Sequence, residues 1–139
     1  MDAEAFRAQA HRVVDWIADY LGSVRDHAVF PDIDPGWLRS RLPAHPPAET
    51  ESMDAVLADF RELVVPEITH WNHPSFDAYF ANSASGPGIL GEMLAAALNA
   101  NAMVWRASPA GTELEEVAVD WLREIVGLPS VFEGVINDT

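Results

Sequence analysis

Lysine and cysteine are both missing from this chain of 139 residues; its eight basic residues are Arg7, Arg12, Arg25, Arg39, Arg41, Arg61, Arg106 and Arg123. Without a thiol there is no disulfide framework, no thiolate nucleophile and no thiolate metal site. Without lysine no side chain offers a primary amine, and a guanidinium stays protonated, so no Schiff base to a carbonyl group can form through a side chain. A Walker phosphate loop, which needs its lysine, is excluded as well. Positive charge is scarce overall: 22 acidic residues against 8 basic ones give −14. Such a chain repels phosphate backbones, and nucleic acid is not an expected partner. No apolar run approaches the ~18 residues of a membrane span, and no basic patch followed by an apolar block marks a secretory signal. The expectation is a cytoplasmic protein with no membrane partner.

Helix signals dominate what is there. Asp2 is placed to cap a first helix in which Phe6, Ala10, Val13, Ile17, Tyr20 and Leu21 recur at helical spacing up to Gly22. That predicts about 20 residues, roughly 30 Å at 1.5 Å per residue. Val14 and Trp16 lie off this stripe and widen the apolar surface, which suits packing either within the chain or against another subunit. From Arg25 to Pro47 five prolines enforce irregular structure, with a turn at Pro35-Gly36 and one or two helical turns in WLRSRL. Ser52 caps a second helix with Met53, Val56, Leu57, Phe60, Leu63 and Val64 on one stripe, and Pro66 ends it or begins a new turn. Ser85-Gly86-Pro87-Gly88 leads into a third helix, and Ser108-Pro109 opens a fourth whose expected buried face is Leu114, Val117, Ala118, Trp121, Leu122 and Ile125. Gly127 fits the left-handed terminating position of that helix. The tail FEGVINDT reads as a loop into a short strand.

Between the second and third helices lies the stretch most suggestive of chemistry, THWNHPSFDAYF. The residue before a proline is pushed out of the α region, so His73-Pro74 breaks any helix and SFDAYF should be extended or irregular. Aromatic side chains on such a loop either fill a core or wall a pocket. His70 and His73, three apart and broken by Pro74, lack an obvious third ligand, and no metal is expected. Ser83, Ser85 and Ser108 have no GxSxG turn to make them nucleophiles, and Ser108 reads as a helix cap. The carboxylates fall on helix surfaces and starts, where solvated charge normally sits. No self-sufficient catalytic set emerges.

In chain order, FRAQAHRVVDWIADYL, VFPDIDPGWLRSRLP, THWNHPSFDAYF, ILGEML, WRASPAGTELEEVAVDWL and GVINDT resemble the N-terminal part of the aromatic-L-amino-acid decarboxylases. This is the pyridoxal-phosphate group that includes dopa, tryptophan and tyrosine decarboxylases. The resemblance runs over nearly the whole chain, and the SPAxTELE run followed by DWL is its most specific piece.

The resemblance implies a fold that is mainly α in this chain: an N-terminal helical dimerisation segment over 1–85, then the beginning of the large α/β domain of a fold type I pyridoxal-phosphate enzyme over 86–139. It implies a decarboxylase of aromatic L-amino acids working as a homodimer. In that family the aromatic loop lines the substrate pocket, which carries a substrate-binding role onto Trp71, Tyr79, Phe80 and Asn82. Many members have Pro-Thr where this chain has Ala81-Asn82, exchanging a hydroxyl for an amide. Met103, with its neighbour Asn101, matches a position that reaches the pocket across the dimer interface and is often aromatic in the family. No catalytic and no cofactor-binding residue is expected on this chain. Pyridoxal 5'-phosphate would be bound by a lysine-bearing C-terminal remainder, expected as a separate polypeptide after a cut at Thr139. The rival expectation is a non-catalytic helical dimerisation or interaction module.

Overall fold

The computed structural model describes residues 1–80 and 84–137. These form α-helices joined by turns, with no strand among the described residues, in two compact units, Met1–Ala84 and Ser85–Thr139. No described helix is long and apolar enough to cross a membrane.

In the first unit α1 spans Ala3–Ser23, and Asp2 accepts from the Ala5 N–H at 2.7 Å, satisfying one of the orphan donors of the first turn. A 3₁₀ turn, Val24–Asp26, follows and buries Val24. The short α2, Trp37–Arg41, starts after Gly36, whose φ of 97° suits a residue without Cβ. The Arg41 guanidinium lies 3.7 Å from the centre of the Trp37 ring. Ser52 caps α3, Met53–Asp59, by accepting from Ala55 N–H at 3.1 Å. The helix then departs from regular α geometry. Over Phe60–Val64 it widens into a π turn, with the Val65 N–H reaching back to the Phe60 carbonyl, and it closes as a 3₁₀ turn, Val65–Glu67, containing Pro66. At the two ends of the widening, the Phe60 ring meets Trp16 of α1 edge-on at 5.1 Å and Val65 enters the core. On the surface, Arg12 of α1 pairs with Asp54 of α3. Among the described residues of this unit, Val24, Val65, His70 and Phe76 are buried.

In the second unit α4 covers Gly86–Leu98, capped by Ser85 Oγ accepting from Gly88 N–H at 3.2 Å, and it stops at Asn99 in the left-handed region. Helix α5 covers Pro109–Ile125. Its end is a Schellman motif: Gly127, at φ 72°, donates to the Glu124 carbonyl and Leu128 to that of Arg123, both at 3.0 Å.

Three expectations are corrected here. Ser108 stands at the N-cap but its hydroxyl accepts no capping bond; it lies over Gly111, where a Cβ would come within 2.7 Å of it, and the Ser108 carbonyl instead takes the Thr112 N–H at 3.0 Å. The apolar stripe of α5 is open, not buried: Leu114, Val117, Trp121, Leu122 and Ile125 are exposed, because no element of this unit covers them, and Ala118 is only half-buried. The tail forms no strand through Asn137. A strand needs a neighbour to exchange backbone hydrogen bonds with, and the Ile136 N–H goes to the Glu115 carboxylate instead, at 2.9 Å.

Candidate functional site

The turn from His70 to Phe80 is built on one buried histidine. His70 is 2% exposed, and its N–H donates to the Val29 carbonyl at 3.0 Å. The Nδ1 of its ring lies 2.9 Å from the hydroxyl of Tyr20, near the end of α1. The His27 ring stacks on it at 4.5 Å. Tyr20 in turn stacks on Trp16 at 5.4 Å, so an aromatic column runs from Phe60 through Trp16 and Tyr20 to the histidine pair. Burial pushes the His70 pKa below the ordinary value of 6.5, and the neighbouring His27 and His73 push the same way; the Val65 carbonyl, as a hydrogen-bond acceptor, opposes them. Burial raises the Tyr20 phenol. At neutral pH the neutral imidazole is therefore the favoured form of His70.

Beyond His70 the chain reverses. The His73 N–H donates to the His70 carbonyl and the Phe76 N–H to that of His73, both at 2.9 Å, while His73 Nδ1 accepts from Ser75 N–H at 3.0 Å. Pro74 suits this tight path, since it has no donor to satisfy. Phe76 drops into the core between Phe30, at 5.7 Å, and Trp71, at 4.9 Å. Tyr79 then lays its ring nearly parallel on Trp71, centroids 5.7 Å apart and planes 11° apart. It does so with φ at 59°, a left-handed conformation that is uncommon for a residue with a bulky side chain. Backbone strain of this kind concentrates at sites where a side chain must point one way.

Of the residues expected to bind substrate, Trp71 and Tyr79 form this stacked pair, Trp71 half-open and Tyr79 83% exposed. Phe80 stands fully in solvent, outside the stack. Asn82 lies outside the described residues. Met103 belongs to the second unit and is 81% exposed, its N–H held by the Asn101 side chain at 2.9 Å. What the sequence reading missed is the anchor beneath the pair: Tyr20 and His27 are 50 and 43 residues from His70, and no local pattern joins them. No cluster able to hold a metal ion occurs among the described residues.

Chemically, the turn offers flat apolar faces beside a buried histidine, with the polar side chains of Ser75 and Asp77 exposed. Flat apolar faces of this kind suit contact with other rings. Comparison with known proteins identifies the family to which the chain belongs. Residues 35–138 match the model of the pyridoxal-dependent decarboxylase conserved domain. The chain belongs to the pyridoxal-dependent decarboxylase family.

Among its relatives is the aromatic-L-amino-acid decarboxylase of Bos taurus, 42% identical over 95% of this chain and 27% of that protein. Two solved structures are similarly close. The tryptophan decarboxylase of Catharanthus roseus in complex with L-tryptophan aligns at a TM-score of 0.88 and 43% identity, over 96% of this chain and 29% of the other. The 4-hydroxyphenylacetaldehyde synthase of Rhodiola rosea aligns at 0.89 and 42%, over 95% and 28%. The chain thus spans somewhat over a quarter of the length of these proteins. The family's cofactor does not find its covalent anchor here: none of the 139 residues is a lysine, so any such anchor comes from residues other than these.

Proposed function

We propose that this chain is the N-terminal part of a pyridoxal-phosphate-dependent decarboxylase of aromatic L-amino acids, and that its turn supplies one wall of the pocket for the substrate's ring. The Trp71–Tyr79 stack carries the reading: two rings are set parallel on a buried base, and one of them is held in a strained backbone conformation that fixes its direction. The family resemblance also assigns Phe80, Asn82 and Met103 to substrate binding, Met103 from the second subunit of a cytoplasmic homodimer. The apolar stripe left open on α5 is consistent with burial against the rest of such an assembly. The lysine, the group that neutralises the ring nitrogen and the phosphate site come from the remainder of the enzyme. The cofactor, when bound there, supplies the electron sink for loss of the substrate carboxylate. This chain's residues bind and orient the ring.

The test is a panel of L-tryptophan, L-tyrosine, L-dopa and L-phenylalanine offered to the cofactor-loaded protein, with carbon dioxide and organic product measured. Release of carbon dioxide with the matching amine supports the reading. A folded full-length protein that takes up no cofactor, or takes it up and turns over none of the four, overturns it, and the first of these outcomes favours the non-catalytic interaction module. The resemblance to an aldehyde synthase gives a second reaction its footing: aldehyde in place of amine, formed with carbon dioxide, ammonia and hydrogen peroxide at the expense of dioxygen and water, would assign decarboxylation coupled to oxidative deamination to the same pocket.

A further inference from the structure

His70 has no part in the recognition just described, yet one peptide bond joins it to the ring wall. Trp71 follows His70 directly, and Tyr79 is oriented by stacking on Trp71. Two observations tie this arrangement to the far end of α1. His70 shares a hydrogen bond with Tyr20, and His27 stacks on one of its faces at 4.5 Å where solvent hardly reaches it. Tyr20 is itself fixed by its stack on Trp16. A ring held by a directional bond at one edge and a stack on one face has little rotational freedom, and the peptide that follows inherits that restriction.

We propose that His70 is a positioning residue for the substrate: through its bond to Tyr20 and its stack on His27 it sets the orientation of Trp71, and so of Tyr79. The substrate half of this inference rests on the function proposed above; the geometric half does not. The groups facing His70 are Tyr20 from α1, His27 from the segment after the 3₁₀ turn, the Val65 carbonyl from the end of the α3 extension, and His73 from the turn itself. None carries a negative charge. Burial, His27 and His73 oppose protonation of His70, and the Val65 carbonyl favours it.

Tyr20→Phe is the decisive variant, because it deletes one hydroxyl and keeps the ring packed on Trp16. The near-ultraviolet circular dichroism of the substrate-free, cofactor-loaded enzyme is expected to change, since the coupled Trp71–Tyr79 pair reorients. KM for the aromatic substrate is expected to rise about threefold to tenfold, the factor for one part-buried hydrogen bond, with kcat within about twofold, as for loss of uniform binding. His70→Leu should reproduce both changes. His70→Asn, which keeps an acceptor near the Nδ1 position, should restore most of the spectrum and most of KM. If His70→Leu fails to fold, the Tyr20→Phe and His70→Asn results decide. An unchanged spectrum and unchanged KM in Tyr20→Phe overturn the proposal. So does an unrescued His70→Asn whose thermal stability equals that of the parent. Should no aromatic amino acid be turned over at all, the functional reading fails, and the spectra of the same variants still decide whether His70 orients the pair.

Discussion

Tyr79 offers a test in which strain and stacking can be separated. A left-handed backbone costs a residue with a Cβ about 1–2 kcal/mol, and a well-placed aromatic pair returns about 0.5–1.5 kcal/mol beyond its buried area. At Tyr79 the two are of similar size, because φ is 59° and the ring lies parallel to Trp71 at 5.7 Å. Tyr79→Ala removes the stack and keeps the strain. Tyr79→Gly removes both, at the added cost of a more flexible unfolded chain. At an ordinary loop position alanine is the more stable of the two by about 0.5–1 kcal/mol; here the order reverses. Tyr79→Gly should be more stable than Tyr79→Ala by about 0.5–1 kcal/mol, read as the difference in urea midpoints of the intact protein. Both variants should bind aromatic substrate less well, so the glycine variant would separate loss of recognition from loss of stability. If alanine equals or exceeds glycine in stability, the strained turn and the argument built on it are refuted.

Other outcomes follow from the same geometry. Gly127→Ala should destabilise α5 by about 1 kcal/mol, because φ of 72° in its Schellman end disfavours a Cβ; thermal unfolding followed by far-ultraviolet circular dichroism checks this. The depressed His70 pKa has a definite sign: below the ordinary value of 6.5 the unfolded chain binds a proton that the folded chain resists. Stability contributed by His70 should thus be full above that pH and be lost as pH falls below it, and the acid slope of a pH series of urea midpoints should flatten in His70→Asn. Arg12 and Asp54 pair in the open, each shifted toward its charged form by the other. A double-mutant cycle at these positions should show a coupling that disappears in high salt.

The helix boundaries were readable because local chemistry sets them: Asp2 and Ser52 accept the capping bonds expected of them and Gly127 terminates α5 as expected, whereas Ser85, read only as part of a small-residue loop, caps as well, and Ser108 stands at its N-cap without the bond. Helical fold class and family were readable for the same reason, from short runs with fixed spacing. The parts that escaped are those decided by partners distant in sequence. The apolar face of α5 has the pattern of a buried stripe, but periodicity names a face without saying what covers it. The π widening at Phe60–Val64 breaks the α period in the middle of a regular-looking stripe. His70 looked like a polar loop residue because the groups that bury it, Tyr20 and His27, come from the other side of the unit. Trp71 and Tyr79 were singled out together and do meet, whereas Phe80, next in sequence, points into solvent.

The central claim is that the Trp71–Tyr79 pair receives the substrate's ring. The most direct measurement is the steady-state kinetics of Trp71→Ala in the cofactor-loaded enzyme, with carbon dioxide release followed against concentration of the best aromatic amino acid. Loss of one stacked ring should raise KM roughly tenfold or less while the cofactor's visible absorption stays that of the parent. Unchanged KM and kcat with that substrate would contradict the account, because the ring on which Tyr79 rests could then be removed without the substrate registering it.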